Sequence, residues 1–397
     1  MSKRRVAVLT TSRADYGLLF WLLKAIDEDA SLDLLLYATG SHLAPEFDST
    51  VDQIEADGFH IARKIEILLA ADTASAAAKA MGLALIGFGD VLAQDRPAVL
   101  VLLGDRFEIV PVALASVLHG IPVAHVHGGE TSEGALDEFF RHAVTKLATL
   151  HFPATEAYAR RILQMGEDPA RTHVFGAPGL DHLHRTPLLS REALAEALGM
   201  SLEQPTALVT YHPVTIEPGL AGEQIDALLA ALRAEATLQA VFTKANPDVG
   251  GRAINQRIEA ACRSEPKRFR LVGNLGTQRY LSCLRHLDLL VGNSSSGLTE
   301  APSFGLPAVN VGTRQRGRIA ARNVIDVGND AAAIGRGIRT ALSAAFRAGL
   351  RNLENPYDRY GDGQVSARIA ATLKAFTHDP WKGTKPFVDI EIGAPDG

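Results

Sequence analysis

Residues 127–144 have the sequence HGGETSEGALDEFFRHAV, which combines two glycines with carboxylates, histidines and an arginine in one short span. Buried charges are costly unless they are paired, so packing in a hydrophobic core does not account for this composition. Carboxylates and imidazoles at such a density are typical of general acid–base catalysis. The span is therefore a candidate catalytic segment, and the alternative is a solvated loop that leads into an exposed helix.

Helical spacing within this span predicts two pairs of interacting side chains. Asp137 and Arg141 are four residues apart, and so are Glu138 and His142, which places each pair on one face of a helix. An exposed, salt-bridged helix face explains both pairs without any function. The presence of other charged loops at neighbouring strand ends favours the functional interpretation.

Charged residues also follow other predicted strands. The loop TSRADYG after the first strand contains Arg13 and Asp15, and GDRFE after the fourth contains Asp105 and Arg106. Open α/β sheets bind ligands beyond the carboxyl ends of their strands, so we expect these loops to line a site. Two structural alternatives remain: Asp105 as the cap of the next helix, and Arg106 paired with that same Asp rather than with a phosphate.

The second half of the chain has two comparable loops. TYHPVT contains His212, and GNSSSGLTE contains Ser294, Ser295 and Glu300. Small residues at the start of a helix let N–H groups and hydroxyls approach an anion, and an acidic residue there can bind a ribose diol. The alternatives are a serine cluster that only caps the helix and a structural histidine. The chain contains neither GxGxxG nor a Walker A motif, which gives no support to NAD or P-loop ATPase chemistry.

The composition limits the class of protein. Of 397 residues, 47% are hydrophobic and 21% charged, with a net charge of -5, which does not favour nucleic acid or an anionic membrane as a partner. Cys262 and Cys283 show no metal-binding spacing and fit a reducing compartment. The basic N-terminus precedes too short an apolar run for a signal peptide, and no window approaches the length of a membrane span. We therefore expect a cytoplasmic protein.

Buried β-type runs alternate with helical patterns along the chain, which predicts an α/β protein. The pattern breaks near residues 178–189 and then restarts, so we expect two Rossmann-like doubly wound domains that face a cleft. The predicted domains are residues 1–182, with the sugar and acid–base loops, and residues 183–360, with the UDP site. We expect a helix at 361–377 to cross back to the first domain and a loosely ordered tail at 378–397.

The chain resembles the hydrolysing UDP-N-acetylglucosamine 2-epimerases in six motifs, SRADYG, GDRFE, HGGETSEGALDEFFRHAVTKL, HPVT, GNSSSG and GTRQRGR, over about residues 6–375. The likeness is greatest to bacterial members that serve sialic acid and legionaminic acid synthesis. The resemblance implies a glycosyltransferase-B-like fold and a reaction that requires no cofactor, neither NAD nor a metal. It also implies a UDP-sugar substrate, a usual homo-oligomer, and the products UDP and a free sugar of the N-acetylmannosamine type.

The resemblance assigns roles to individual residues. Asp105 and Asp137 fall at carboxylate positions of the family's active site, and His212 matches the histidine near the phosphates. The glycines at 128 and 129 would let the chain pass close to the sugar. The resemblance implies nucleotide and substrate contacts at Arg13, Arg106, Ser294, Ser295, Glu300 and Arg314. The positions of Asp15, Arg141 and Asn246 in the sequence pattern add these three residues to the expected contacts.

One position departs from the family pattern. Some members have the sequence His-x-Glu-Gly-Gly-Glu, and this chain has His127 where they have the first Glu. Glu130 is the favoured substitute for the missing carboxylate, and His127 is itself a candidate acid or base. One extra residue before Asp137 leaves Glu133 and Glu138 as alternatives.

Three other functions use a similar set of motifs. A glycosyltransferase of the same fold would need an acceptor, a non-hydrolysing epimerase would retain UDP on its product, and a sensor would need no carboxylates. The sequence leaves the sugar open between UDP-N-acetylglucosamine and UDP-N,N'-diacetylbacillosamine.

Overall fold

The computed structural model describes residues 3–44, 50–69, 71, 73–133, 136–214, 217, 219–245, 250–273, 275–377 and 385–390. The chain divides into two compact units. Unit 1 contains Met1–Glu130, Leu136–Asp181 and Arg359–Gly397, and unit 2 contains Thr131–Ala135 and His182–Asp358. The predicted boundaries at 182 and 360 lie beside these divisions, whereas the grouping of Thr131–Ala135 with unit 2 has no counterpart in the sequence pattern.

Unit 1 is built on a parallel sheet with six strands among the described residues, in the order β3-β2-β1-β4-β5-β6. This 3-2-1-4-5-6 order is that of the Rossmann fold. Successive residues of β1 are buried on opposite faces, with Val6 and Val8 in one core and Ala7 and Leu9 in the other. The strands are β1 (Arg4–Thr10), β2 (Leu32–Thr39), β3 (Ile61–Ile65), β4 (Val99–Leu103), β5 (Val123–Val126) and β6 (Leu150–Phe152).

Helices cover both faces of this sheet. The late helix α15 belongs to unit 1, where Ile369 and Leu373 share a core with Leu19 and Leu23 of α1. Its first turn is capped by buried Asp181, which accepts from the backbone N–H of Val365 at 3.0 Å and of Ser366 at 2.8 Å. The helices of this unit are α1 (Arg13–Asp27), α2 (Val51–Ala56), α3 (Ala74–Asp95), α4 (Ile109–Leu118), α5 (Asp137–Leu147), α6 (Glu156–Gln164) and α15 (Val365–Ala375), and α7 (Asp181–Arg185) begins at its boundary.

Helix α3 corrects one expectation. It has 22 residues, and its most apolar window has a mean hydropathy of 1.5, so it is long and apolar enough to cross a membrane by length and composition. The expectation that no segment approaches that length is therefore wrong. Ala84, Phe88 and Leu92 pack in the core against the sheet of unit 1. The apolar composition is thus accounted for in part by this packing.

Unit 2 repeats the same topology. Its parallel sheet has six strands within the described ranges, in the order β12-β11-β10-β7-β8-β9, which is again 3-2-1-4-5-6 when read from the other edge. The strands are β7 (Thr206–Thr210), β8 (Gln239–Thr243), β9 (Phe269–Val272), β10 (Leu289–Gly292), β11 (Ala308–Val311) and β12 (Val324–Val327). The helices are α8 (Arg191–Leu198), α9 (Ala221–Ala234), α10 (Gly251–Ser264), α11 (Gly276–His286), α12 (Ser296–Thr299), α13 (Ala331–Leu342) and α14 (Ala344–Gly349).

The two sheets confirm the predicted fold class of two Rossmann-like domains. In each sheet the strand order reverses between the first and fourth strands, which are β1 and β4 in unit 1 and β7 and β10 in unit 2. Ligands of such sheets bind at this switch point, outside the carboxyl ends of the strands. The loops after these four strands are therefore where each unit is expected to bind a ligand.

Candidate functional site

The switch point of unit 1 brings together the loops after β1 and β4. Thr11 Oγ1 donates to Asp15 Oδ2 at 2.5 Å. Burial raises the pKa of Asp15, and the Arg106 guanidinium opposes that shift. Arg106 Nη2 also donates to Glu108 Oε1 at 2.7 Å, and Glu108 is fully buried. A carboxyl with a raised pKa beside an arginine at a switch point is typical of a binding site.

These contacts decide between the structural alternatives for GDRFE. Glu108 occupies the N-cap position of α4, without a side-chain capping bond, so the interpretation of Asp105 as the residue at the helix cap is wrong. Arg106 pairs with Glu108. Arg13 is the first residue of α1 and is exposed, with Ser12 as the helix cap.

Arg141 is the buried charge that links the loops of unit 1. Its side chain is only 2% exposed. It donates to Asp105 Oδ2 from the loop after β4 and, at 2.9 Å, to the carbonyl of His127 from the loop after β5. Its Nη1 also lies 3.8 Å from Glu130 Oε2. Helical spacing predicts Asp137 as a further partner, and the contacts with Asp105 and His127 come from loops that are distant in the sequence.

His127 and Glu130 form a close pair in the same cluster. His127 Nδ1 lies 2.5 Å from Glu130 Oε1, and the two side chains are 12% and 6% exposed. Because a carboxylate accepts, Nδ1 carries a proton, and in the tautomer with no second proton the other ring nitrogen can accept one. That Nε2 atom is buried and has no hydrogen-bond partner among the described residues. The pair therefore provides a ring nitrogen that can accept a proton, with a carboxylate that orients it.

The two glycines that follow His127 are required by contacts within unit 1. A Cβ on residue 128 would lie 2.9 Å from His125 Nδ1, and one on residue 129 would lie 2.4 Å from the carbonyl oxygen of Tyr158. Gly129 also has a φ of +73°, which disfavours other residues. The expectation that the glycines serve an approach to the sugar is thus not needed to explain them.

His125 is a structural histidine that sequence reasoning missed. Its Nε2 donates to the carbonyl of Gly104 at 2.7 Å, and its Nδ1 lies 3.2 Å from Thr145 Oγ1 of α5. Burial lowers the pKa of His125 to about 3, so the ring is neutral at pH 7. Its place in HVHGG beside the candidate catalytic His127 was the available signal.

The remaining candidate residues of the 127–144 span differ in their positions and in their partners. Glu138 and His142 form the predicted i,i+4 pair, with Oε1 and Nε2 3.1 Å apart. Asp137 is the first residue of α5, on the side-chain face that carries Arg141 one turn later. Glu133 is grouped with unit 2, where its carboxylate lies 3.8 Å from Arg316.

The switch point of unit 2 is organised by Asn293. Its side chain accepts from the backbone N–H of His212 at 2.7 Å and donates to the carbonyl of His212 at 2.8 Å, so it ties the loops after β7 and β10 together. Its own carbonyl accepts from Arg314 at 3.2 Å and from Gln315 at 2.8 Å. Burial, with a smaller effect of the Arg314 charge, lowers the pKa of His212 to about 3.

The serine loop follows immediately. Ser294 Oγ accepts from the N–H of Ser296 at 3.3 Å, and α12 is a single turn whose cap, Ser295, makes no side-chain capping bond. Glu300 accepts from Thr299 Oγ1. Burial and then the Glu300 charge raise the pKa of Tyr280, which lies beside the serine loop. Tyr280 of α11 is a neighbour that no sequence motif indicated.

Asn246, an expected substrate contact, lies outside the described residues. In the described ranges, no group of three or more His, Cys, Asp or Glu side chains is arranged to hold a metal ion.

A family model described as UDP-N-acetylglucosamine 2-epimerase matches residues 24–374. The chain belongs to this family. The resemblance noted in the sequence motifs is thereby confirmed, as is an enzyme of the UDP-sugar 2-epimerase type.

Two relatives of this epimerase family member carry more specific names. A GDP/UDP-N,N'-diacetylbacillosamine 2-epimerase (hydrolyzing) from Campylobacter jejuni is 39% identical over 82% of this chain and 85% of its own length. A UDP-N,N'-diacetylbacillosamine 2-epimerase (hydrolyzing) from Legionella pneumophila is 38% identical over 94% of this chain and 96% of its own. In fold, the chain is similar to the crystal structure of UDP-GlcNAc 2-epimerase from Neisseria meningitidis bound to UDP-GlcNAc, with a TM-score of 0.81, 18% identity, and coverage of 94% and 100% of the two chains.

The buried histidines of this epimerase family member predict a pH-dependent stability. The pKa of His125 lies below its unfolded value, so between these two values the unfolded chain binds a proton that the folded chain does not. We expect the free energy of unfolding of unit 1 to fall by about 1.4 kcal/mol per pH unit below pH 6.5 because of this group. Urea denaturation between pH 7.5 and 5.5 measures the slope.

The matched variants are His125→Gln, whose amide can still donate to Gly104, and His60→Gln at an exposed position. The slope should decrease in the first and stay unchanged in the second. Equal slopes in wild type and His125→Gln would contradict the assignment of this histidine as a buried neutral group.

Proposed function

We propose that the chain is a hydrolysing 2-epimerase that converts UDP-N,N'-diacetylbacillosamine and water to UDP and the free 2-epimeric sugar. The observation that carries the proposal is the 38% identity to the Legionella pneumophila enzyme of that name over 94% of the chain. A similar identity to the Campylobacter jejuni enzyme supports the same sugar. A UDP-N-acetylglucosamine 2-epimerase from Neisseria meningitidis is 28% identical, which makes UDP-N-acetylglucosamine the second candidate substrate.

The chemistry explains why the site contains acid–base groups. Loss of UDP from C1 builds positive character on that carbon and acidifies the hydrogen on C2. A base removes the C2 proton, and the electron pair of the C2–H bond becomes the C1–C2 double bond as the C1–O bond to UDP breaks. Water then adds its hydroxyl to C1 while C2 is protonated on the opposite face. Positioned acid–base groups contribute roughly 10²–10⁴-fold to such steps.

His127 is the proton carrier in this proposal, and Glu130 orients it. The carboxylate is 2.5 Å from Nδ1, while the buried Nε2 atom has no hydrogen-bond partner in the part of the chain that the structure describes. This arrangement favours His127 as the carrier over Glu130, which the sequence favours, since Glu130 is held between His127 and Arg141. A histidine with an orienting carboxylate can replace the glutamate that other family members have at position 127.

Asp105, Asp137 and Arg141 complete the acid–base region of unit 1. The guanidinium fixes the position of Asp105, because it donates to that carboxylate from a nearly fully buried position. Asp137 begins the same helix and is partly exposed, which suits a second group for the opposite face of the sugar. Asp15 and Arg106 at the switch point are further substrate contacts.

Unit 2 supplies the UDP site in this proposal. Ser294 and Ser295 offer hydroxyls and backbone N–H groups to phosphate, Arg314 supplies the cation, and Glu300 accepts from the ribose diol. Because His212 is neutral at pH 7, it contributes a hydrogen bond rather than a charge to the diphosphate. Tyr280 beside Glu300 is an additional nucleotide contact.

We infer in addition a role in nonulosonic acid synthesis of the legionaminic or sialic acid type, and a cytoplasmic location. The free cysteines Cys262 and Cys283 agree with a reducing compartment. A glycosyltransferase of the same fold is the alternative function, and the paired His127 and Glu130 favour the epimerase because group transfer to an acceptor needs no proton carrier at C2.

The reaction is tested by incubating the purified protein with each UDP-sugar and no acceptor. NMR should detect UDP and the free 2-epimeric sugar, with a higher kcat/KM for UDP-N,N'-diacetylbacillosamine than for UDP-N-acetylglucosamine. A product that retains UDP would identify a non-hydrolysing epimerase. UDP release that requires an added acceptor would identify a glycosyltransferase.

The roles within the His127–Glu130 pair are tested by His127→Gln and Glu130→Gln. We expect kcat to fall at least a hundredfold in the first, and by roughly tenfold to a hundredfold in the second, because the amide orients the ring less well. UDP affinity, measured by calorimetry, should change in neither. His142→Gln is the matched control, since His142 is also paired with a carboxylate of unit 1. If Glu130→Gln abolished turnover while His127→Gln kept a kcat near that of wild type, the carboxylate rather than the imidazole would be the proton carrier.

We propose a homo-oligomer that assembles through the outer face of α3 and α4. Ile86 and Leu118 are 68% and 81% exposed, and Leu83 and Val117 of the same two helices are also exposed. Exposed apolar side chains on helices that pack against each other, as α3 and α4 do, can form an interaction surface. Ile86→Glu combined with Leu118→Glu should lower the mass measured by light scattering, whereas Leu220→Glu on unit 2 should not. A monomeric wild type at micromolar concentration would rule out this proposal.

A further inference from the structure

Residues 385–390 lie against unit 1, although the sequence predicts a loosely ordered tail from residue 378. We name this segment the strap. The backbone N–H of Val388 donates to the carbonyl of Gly166 at 2.9 Å, and Lys146 Nζ lies 4.9 Å from the centre of the Phe387 ring. The expectation of a loose tail is therefore wrong for the strap.

Phe387 of the strap packs closely against Gly166 of unit 1. A Cβ on Gly166 would lie 2.4 Å from atoms of the Phe387 ring, and Gly166 has a φ of +79°. The ring therefore occupies space that a side chain at position 166 would fill. This close packing of Phe387 against Gly166 distinguishes the strap from a tail that touches the surface at random.

Lys385 brings a positive charge to the carboxyl end of α5. Its Nζ donates to the carbonyl of Lys146 at 2.7 Å and to that of Thr145 at 3.3 Å. The last carbonyls of a helix lack partners within the helix and carry partial negative charge, so a lysine there stabilises the final turn. The strap thereby caps α5 from a distant part of the chain.

The same lysine also completes a buried ionic cluster around Glu167. This carboxylate is 1% exposed and accepts from His151 Nε2 at 2.9 Å, from Lys146 Nζ at 2.7 Å and from Lys385. Burial acts to raise the pKa of Glu167, but these hydrogen bonds outweigh it and bring the pKa to about 2. Loss of Lys385 would leave a buried carboxylate with one donor fewer, which is costly.

Helix α5 connects the strap to the candidate catalytic cluster. Arg141, one turn before the capped end, donates to Asp105 and to the carbonyl of His127. We propose that the strap fixes the carboxyl end of α5 and that Lys385 is a positioning residue for Arg141. The catalytic consequence rests on the proposed function, whereas the effect on α5 does not.

Two variants test the proposal by enzyme assay. One is Lys385→Met in the full chain, and the other is a chain that ends at residue 377. We expect kcat to fall roughly tenfold with KM unchanged, because a small displacement of positioned groups costs rate rather than affinity. Lys385→Arg keeps the charge and should restore most of the rate. Asp389→Asn, at an exposed strap position, is the matched control and should match wild type.

Hydrogen–deuterium exchange of the α5 amides provides a readout that does not depend on catalysis. Exchange should accelerate in Lys385→Met and in the shortened chain but not in Lys385→Arg or Asp389→Asn. Unchanged exchange in Lys385→Met, or unchanged kcat in an active enzyme, would overturn the proposal. Faster exchange in a protein that turns over no UDP-sugar would support the strap while rejecting the proposed function.

Discussion

The candidate site of unit 1 depends on one interaction, the burial of the Arg141 guanidinium. A charged group that is almost fully removed from water must be surrounded by acceptors, or the fold loses several kcal/mol. Arg141 finds them in Asp105 after β4 and in the carbonyl of His127 after β5. One side chain of α5 therefore fixes two strand-end loops, and with them the orientation of the His127–Glu130 pair. Lys385, near the end of the described chain, caps the helix that carries Arg141, so we expect it to affect the position of that side chain as well.

Most of the fold follows from the sequence because its central strands are buried on both faces. Runs such as Val99–Leu103 are continuously apolar, and each is followed by a turn and a helical pattern. The sequence pattern does not delimit three strands at or near sheet edges. Ile61–Ile65 and Val324–Val327 carry charged residues on partly exposed positions, and Leu150–Phe152 has only three residues. An edge strand pairs on one side only, so tertiary contacts rather than an apolar run define it.

The candidate site was less predictable than the fold. Helical spacing correctly pairs Glu138 with His142, because that contact is local. The contacts of Arg141 with Asp105 and with the carbonyl of His127 join loops after other strands, and no spacing rule along the chain indicates them. Tyr280 reaches the serine loop from a different helix, and Asn293 acts through its amide on the backbone of His212. Such contacts depend on the order of strands in the sheet, which brings together loops that are distant in sequence.

The central claim is that C2 loses its proton as UDP leaves and is protonated again on the opposite face as water adds. Turnover of UDP-N,N'-diacetylbacillosamine in D₂O tests it most directly, with mass spectrometry and NMR of the free sugar and the isolated product incubated without enzyme as the control. Because the group that protonates C2 on the opposite face has exchanged its proton with solvent, the account predicts one deuterium at C2 of each product molecule. A released sugar that retains its original hydrogen at C2 would contradict the elimination route.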